Sequence, residues 1–518
     1  MMSQTKKQLR LAMPLAVIAA LVLLLSGSGM AQTATQDLTQ ADKLYHQGQF
    51  DDAMSRKIAA IATAQSDLEM FSGTVLVARN GKVLYTGAFG KANKDNRVPN
   101  KLETRFNIGS IGKTFTAVAV MQLVQNGKLQ LADNLGKFYP ECPFAEKKTI
   151  TVYHLLTHTS GLGNYFEHRE FMARMDTLRT VSDTLPLIFS QKPAFAAGER
   201  FQYSNSGMFL LGGIIEKVSG LPYSEYIRQY IFVPCDMMAS GIVQEEEILP
   251  DRAIGYSQNA DGSFTANILV VPPAFSDGGL RTTVGDMLKF DQALVGEALL
   301  SALSKQIMFA SSSQKPTYAC GWETKEFFGQ RYVGHSGGTD GVEAFFYRFI
   351  DSGYTVIVLS NYHNGAEELT TSIMALLFGK PYSLPTAIDA NFRLGYRLQG
   401  EKKLQDAAKI LARNLATDPP HLLSLFFAAN VRIRGGFEVE TALNYLDRYL
   451  RLAGTDSFPP ASIVWQQKGN AFEKLGRRKE AIRAFERSLA LDPQNQAARE
   501  KLKKLREATS GPTKKKGS

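Results

Sequence analysis

The spacing of apolar residues changes its period along the chain, and the changes mark out the elements. "GTVLVARNGKVLYTGAFG", Gly73 to Gly90, is two runs rich in β-branched and aromatic residues joined at Asn80-Gly81. Asn-Gly between such runs signals a tight hairpin, because both residues tolerate positive φ. From Ser110 to Asn126 the period is helical, with Val118, Met121 and Val124 or Gln125 on successive turns and Gly127 as the stop. "TITVYHLLTHTSGL" reads as a threonine cap, a short helix and a turn. "RYVGHSGGTDGVEAFFYRFIDSGYTVIVLSN" returns to alternation, as antiparallel strands broken at glycines. Strands first, helices in the middle and strands last predict an α+β fold. The antiparallel sheet pairs the two ends of this segment and is flanked by helices, with a helical insert between them.

After "PYSLPTA", Pro381 to Ala387, the strand pattern stops and helix pairs begin. Trp465, Gly469, Phe472, Gly476, Ala481, Phe485 and Pro493 fall at the spacing of a tetratricopeptide repeat, with Lys468 where leucine is usual. Two weaker copies precede it, one with Gly395, Ala407, Leu411 and Pro419, the other with Gly436, Ala442 and a longer loop. Single repeats cannot bury their faces, so about three in a row make physical sense. The expected organisation is a signal peptide over 1–31, a helical lead-in over 32–66 and an α+β domain over 67–380. An all-α helical-repeat domain over 388–508 and a disordered basic tail over 509–518 complete it.

The N-terminus motivates the first of these segments. Lys6, Lys7 and Arg10 precede the apolar run Leu11 to Leu25, and small residues Gly29 and Ala31 flank Met30. That order predicts a secretory signal cleaved after Ala31 and a secreted or periplasmic protein. The run is short for a membrane span, so membrane contact is expected only if the segment stays uncleaved. The net charge of +10 counts these terminal residues and Lys514 to Lys516. It does not support nucleic-acid binding. Cys142, Cys235 and Cys320 are odd in number and lack metal-ligand spacing, so they read as buried hydrophobes.

"FNIGSIGKTF", Phe106 to Phe115, holds the first candidate chemistry. A phosphate loop needs glycine five positions before the Gly-Lys pair, and Asn107 stands there. Ser110 and Lys113 instead share a helical face, so the lysine can reach the hydroxyl. A serine nucleophile needs a base, and Lys113 serves only if burial or a nearby cation lowers its pKa. In "YSNSG", Tyr203 and Asn205 point to one side of an extended or turn segment. A phenolate-like Tyr203 would share the proton, and Asn205 would hold Lys113 or a substrate amide. "GHSGG" sets His335, Ser336, Gly337 and Gly338 on a strand edge that offers backbone N–H groups to a carbonyl. His154 and His158 are four apart without the glutamate of a zinc motif and read as structural. The glycines of "SDGGL", Gly278 and Gly279, read as a tight turn near the site.

Ser110-Ile-Gly-Lys113, Tyr203-Ser-Asn205 and His335-Ser-Gly337, in that order, resemble the three motifs of the serine β-lactamase and penicillin-binding protein superfamily, in its class C-like branch. "ITVYHLLTHTSGL", "DGGLRTTVGDMLKF" and "YACGWE" agree with it. The resemblance implies catalysis by Ser110, Lys113 and Tyr203 through an acyl-enzyme, with substrate bound by Asn205, His335, Ser336, Gly337 and Gly338. The N–H groups of Ser110 and Gly338 would form the oxyanion hole. No metal or cofactor is required. Histidine replaces the usual lysine of the third motif, which favours an esterase or D-amino-acid peptidase acting on a small molecule or peptide. A silent receptor working through its repeats, with a protein partner, and a true β-lactamase are the alternatives.

Overall fold

The computed structural model describes residues 53–243, 247–267, 275–417 and 420–507. Residues 1–31, read above as a signal peptide, residues 32–52 of the lead-in, Pro419 and the expected basic tail lie outside the described residues. The chain divides into two compact units between Leu384 and Pro385, with Gln258–Ser263 grouped with the second.

The first unit is built on a six-stranded antiparallel sheet. Its strands are β1 (Gly73–Arg79), β2 (Lys82–Phe89), β3 (Glu323–Phe327), β4 (Gln330–Thr339), β5 (Val342–Phe349) and β6 (Tyr354–Ser360). Their order is β2-β1-β6-β5-β4-β3, so the first and last strands of the chain segment meet at β1 and β6. The β1–β2 turn carries φ +50° at Asn80 and +75° at Gly81, the left-handed pair that a two-residue hairpin needs.

Both faces of the sheet are apolar, and a period of two separates them. Val75 and Val77 of β1, Phe345 and Tyr347 of β5, and Val356 and Val358 of β6 share one core. Helix α1 (Ala53–Asp67) closes that face through Ile58 and Ile61, together with Leu369 and Ile373 of α6 (Glu367–Leu377). The helix that the sequence sets ahead of the domain thus packs onto its sheet. Leu76, Ala344, Phe346, Ile357 and Leu359 face the other core. That core receives α2 (Gly112–Gln125), α3 (Val152–Leu156), α4 (Asn205–Ser219) and α5 (Val284–Val295). Asp291 of α5 is tied to the sheet by an ion pair with Arg348 and by Thr355 Oγ1, which donates at 2.8 Å. Cys142, Cys235 and Cys320 are buried and unpaired.

The second unit is helical: α7 (Ala387–Gly400), α8 (Leu404–Arg413), α9 (Leu422–Gly435), α10 (Val439–Leu452), α11 (Ala461–Lys474), α12 (Arg478–Leu491) and α13 (Gln496–Glu507). Glycine sets the closeness of the pairs. A Cβ on Gly469 would lie 2.5 Å from the Phe485 ring, and one on Gly395 would lie 2.6 Å from Leu411 Cγ. Lys468, the residue that breaks the leucine pattern, is buried, with Nζ 2.5 Å from Asp447 Oδ1 and 4.5 Å from the Trp465 ring centre. A buried ammonium is tolerated because a carboxylate and a ring face replace its water.

Candidate active site

The nucleophile turn is shaped by three local features. Phe106–Asn107 pairs antiparallel with Arg281–Thr282, which fixes the entry to the turn. Asn107 Oδ1 accepts from Gly109 N–H at 2.8 Å, and Gly109 takes φ +51°. A short 3-10 turn, Gly109–Ile111, then runs into α2. Neither start is capped by a side chain, so the Ser110 hydroxyl is not engaged in capping.

Lys113 lies one turn on, fully buried, and its Nζ–H donates to Ser110 Oγ at 2.8 Å. A second N–H donates to the main-chain oxygen of Asp277. Burial pulls the Lys113 pKa down to about 8 against the pull of the Asp277 carboxylate. Burial also raises the Asp277 carboxyl to about 6, against the stabilising charge of Lys113 and the hydrogen bond that Tyr165 O–H donates at 3.1 Å. The tight turn at "SDGG" is pressed onto the nucleophile. A Cβ on Gly112 would meet Gly278 Cα at 3.2 Å, and one on Gly278 would meet Gly109 O at 3.0 Å.

Tyr203 joins this pair, with its ring centre 5.0 Å from Lys113 Nζ. Burial drives the Tyr203 pKa up, and the charges of Glu323 and Asp277 add to this. The phenol is therefore protonated in the resting site, not the phenolate-like group that the sequence suggests. The other expectation for this motif also changes. Helix α4 starts at Asn205, capped by Ser204, and Asn205 directs its main-chain N–H and its Nδ2 to Asn164 Oδ1 at 2.9 and 3.0 Å. Asp277, not Asn205, is the residue that holds Lys113.

The third motif lies on β4 beyond the reach of β3, whose pairing ends at Gly334–Glu323. This free stretch runs alongside the nucleophile turn. A Cβ on Gly337 would fall 1.9 Å from Ile108 O and 3.0 Å from Ser110 N, and one on Gly109 would fall 2.8 Å from Gly338 N. The N–H groups of Ser110 and Gly338 are thereby brought to one place, as an oxyanion site requires.

His335 lies 6.3 Å ring to ring from Tyr203. It is buried, and hydrogen bonds fix the sense of every proton around it. The Ser204 N–H donates to His158 Nδ1 at 3.2 Å, so the His158 proton sits on Nε2 and is donated to Tyr318 Oη at 2.9 Å. Tyr318 O–H then donates to His335 Nε2 at 3.0 Å, and His335 Nδ1–H donates to the Ser336 carbonyl at 2.5 Å. A backbone N–H at one end and a carbonyl at the other leave each imidazole neutral and in one tautomer. Burial lowers both histidines, His335 to about 4, and Lys113 nearby lowers them further. The expected contact between His335 and substrate gives way to a supporting role, because both ring nitrogens are used inside the protein. His158, read from the sequence as structural, lies 4.4 Å ring to ring from Tyr203. Its φ of +56° is a strained value for a non-glycine residue. Asp277, Tyr318 and His158 were not singled out as site residues by motif reasoning, and only the turn in "LLTHTSGL" and the paired glycines of "SDGGL" pointed near two of them.

A sequence profile of the beta-lactamase family matches residues 58–377. The chain belongs to the beta-lactamase family. Within that family it is 31% identical over 340 residues to penicillin-binding protein 4* of Bacillus subtilis (strain 168), covering 61% of this chain and 74% of that one. Among solved structures, a penicillin-binding protein from Bacillus halodurans matches at 33% identity and a TM-score of 0.57, covering 61% of this chain and 98% of that one. A D-stereospecific amidohydrolase from Streptomyces sp. matches at 26% identity and a TM-score of 0.54, covering 62% and 98%. A tetratricopeptide repeat profile matches residues 462–495.

The histidine–tyrosine chain is expected to tune this beta-lactamase-family site. Tyr318→Phe removes one hydroxyl and leaves two buried imidazole nitrogens unpaired, at about 1–3 kcal/mol. A thermal melt should show a loss of a few degrees. The pH profile of Ser110 labelling by a fluorophosphonate should also fall more steeply on the acid side than in the wild type, since His335 no longer has a donor that holds it neutral. A lower melting temperature with an unchanged profile would leave Tyr318 with a packing role alone.

Proposed function

We propose that this chain is a serine hydrolase that cleaves an ester or amide through an acyl-enzyme on Ser110, of the esterase or D-amino-acid peptidase type. The observation that carries it is the fully buried Lys113, with its pKa near 8 and its Nζ 2.8 Å from Ser110 Oγ. A lysine so placed can be neutral at working pH and accept the serine proton. Ser110 Oγ attacks the carbonyl carbon, and the N–H groups of Ser110 and Gly338 receive the developing oxyanion. Tyr203 O–H gives a proton to the leaving atom, and the Lys113 ammonium returns one to the phenolate. Water then attacks the acyl-enzyme and releases the acid. Asn205, anchored by Asn164, presents its Oδ1 to a substrate amide. The D-stereospecific amidohydrolase among the structural matches supports a D-amino-acid substrate.

We also read residues 1–31 as an export signal and the repeats as a surface for a protein partner, supported by the repeat match at 462–495. The central test is covalent trapping. A fluorophosphonate or a phenyl acetate should add its phosphonyl or acetyl mass to the peptide carrying Ser110 and to no other. An unlabelled Ser110, with no phenol released, would leave the chain a binding protein acting through its repeats.

A further inference from the structure

The corner of the cleft made by the third motif is bonded inward. Ser336 Oγ–H donates to Glu323 Oε1 at 3.1 Å, and His335 uses both ring nitrogens on Tyr318 and the Ser336 carbonyl. Glu323 begins β3, opposite Gly334 in the ladder, and is only 8% exposed. Its other oxygen takes Lys325 Nζ at 2.8 Å, and that side chain is 41% exposed. Burial works to raise the Glu323 carboxyl, while the Lys325 ammonium and the Ser336 hydroxyl favour its charged form. Its field reaches the reacting groups, because it raises the Tyr203 phenol beyond what burial does. The cation nearest the nucleophile, Lys113, is fully buried and already donates to Ser110 and Asp277.

Ser336 and Gly338 are two apart on β4 and share one side of the strand, so a group next to a carbonyl held at Gly338 N–H would fall toward Ser336. A carboxylate there would need a hydrogen, and neither third-motif side chain has one to give. Ser336 could supply its own only by turning away from Glu323, which would leave two anions close together with one of them buried. We infer that Glu323 sets the charge this site accepts: the Ser336 corner rejects a carboxylate beside the scissile bond and takes a neutral or cationic group. The inference rests on the acyl-enzyme reading above and names its substrate class. Like charges at such range in a partly buried site alter rates on the order of 10- to 100-fold.

The test uses the full chain and three phenyl acetates that differ in the meta group of the leaving phenol, carboxylate, carboxamide or trimethylammonium, with each kcat/KM divided by that ester's own hydroxide-catalysed rate so that leaving-group reactivity cancels. The carboxylate ester should have a kcat/KM at least about tenfold below that of the carboxamide, and the trimethylammonium ester should match or exceed the carboxamide. In Glu323→Gln the gap should shrink to about threefold or less, and in the wild type it should narrow as salt is raised. Should the variant fail to fold, the wild-type substrate order and its salt dependence decide alone. A carboxylate ester that is cleaved as fast as the carboxamide, or a gap that persists in a folded Glu323→Gln, overturns the inference while leaving Ser110 catalysis intact. Absence of acetyl-Ser110 with all three esters removes the acyl-enzyme reading and this inference with it.

Discussion

Lys113→Met should lower kcat/KM for phenyl acetate by about a thousandfold, within the range expected when a positioned general base is lost. Methionine keeps the apolar stem and much of the volume, so the loss reports the amine. Asp277 would lose the attraction of Lys113, its carboxyl would rise further above about 6, and it would bind a proton and avoid standing as an unpaired buried anion. The pH dependence separates this from a folding defect. Only neutral Lys113 can take the Ser110 proton, and burial brings its pKa to about 8. The active fraction grows as pH rises, so wild-type kcat/KM should climb by about tenfold per pH unit below pH 8 and level off above it. The variant should lose that limb. Rate profiles of both proteins from acid to alkaline pH, with circular dichroism to confirm folding, provide the check. A limb that persists in the variant would assign the base to another group.

The sheet was readable because alternation is a local property. Val75 and Val77 go to one core, Leu76 and Ala78 to the other, and Asn80-Gly81 suits a two-residue turn because both residues take positive φ. Ser110 and Lys113 were readable because a helix places residues three apart together. The residues that tune them were not, since contact between His158 and Tyr318, or Ser336 and Glu323, depends on how loops fold over the cleft. No period in the chain encodes such a contact. Asn205 illustrates a boundary effect. Two residues on an extended segment share a side, but Ser204 caps a helix between them and sends the asparagine to Asn164. Tyr203 illustrates an electrostatic one. Its place beside Lys113 was foreseen, but the sign of its pKa shift depends on burial and on Glu323 and Asp277, which only the fold brings near.

Gly337→Ala should be nearly as damaging as loss of the lysine, and Gly338→Ala nearly silent. The two glycines are adjacent on β4, so their missing side chains point to opposite faces. A Cβ on Gly337 would lie 1.9 Å from Ile108 O and 3.0 Å from Ser110 N, both main-chain atoms of the nucleophile turn. Backbone cannot swing aside as a side-chain tip can, so β4 and the turn must separate by more than an ångström. Overpacking of this kind costs about 1–3 kcal/mol, and here it also spreads the Ser110 and Gly338 N–H groups. Loss of one such donor lowers kcat by about 10²–10³-fold. A Cβ on Gly338 would meet only Val342 O, at 3.7 Å, an ordinary contact. Labelling of Ser110 by a small fluorophosphonate should therefore slow at least a hundredfold in Gly337→Ala and less than about threefold in Gly338→Ala, with a lower melting temperature in the first alone. Equal labelling rates for the two variants would mean that the separation of strand and turn does not govern the oxyanion site.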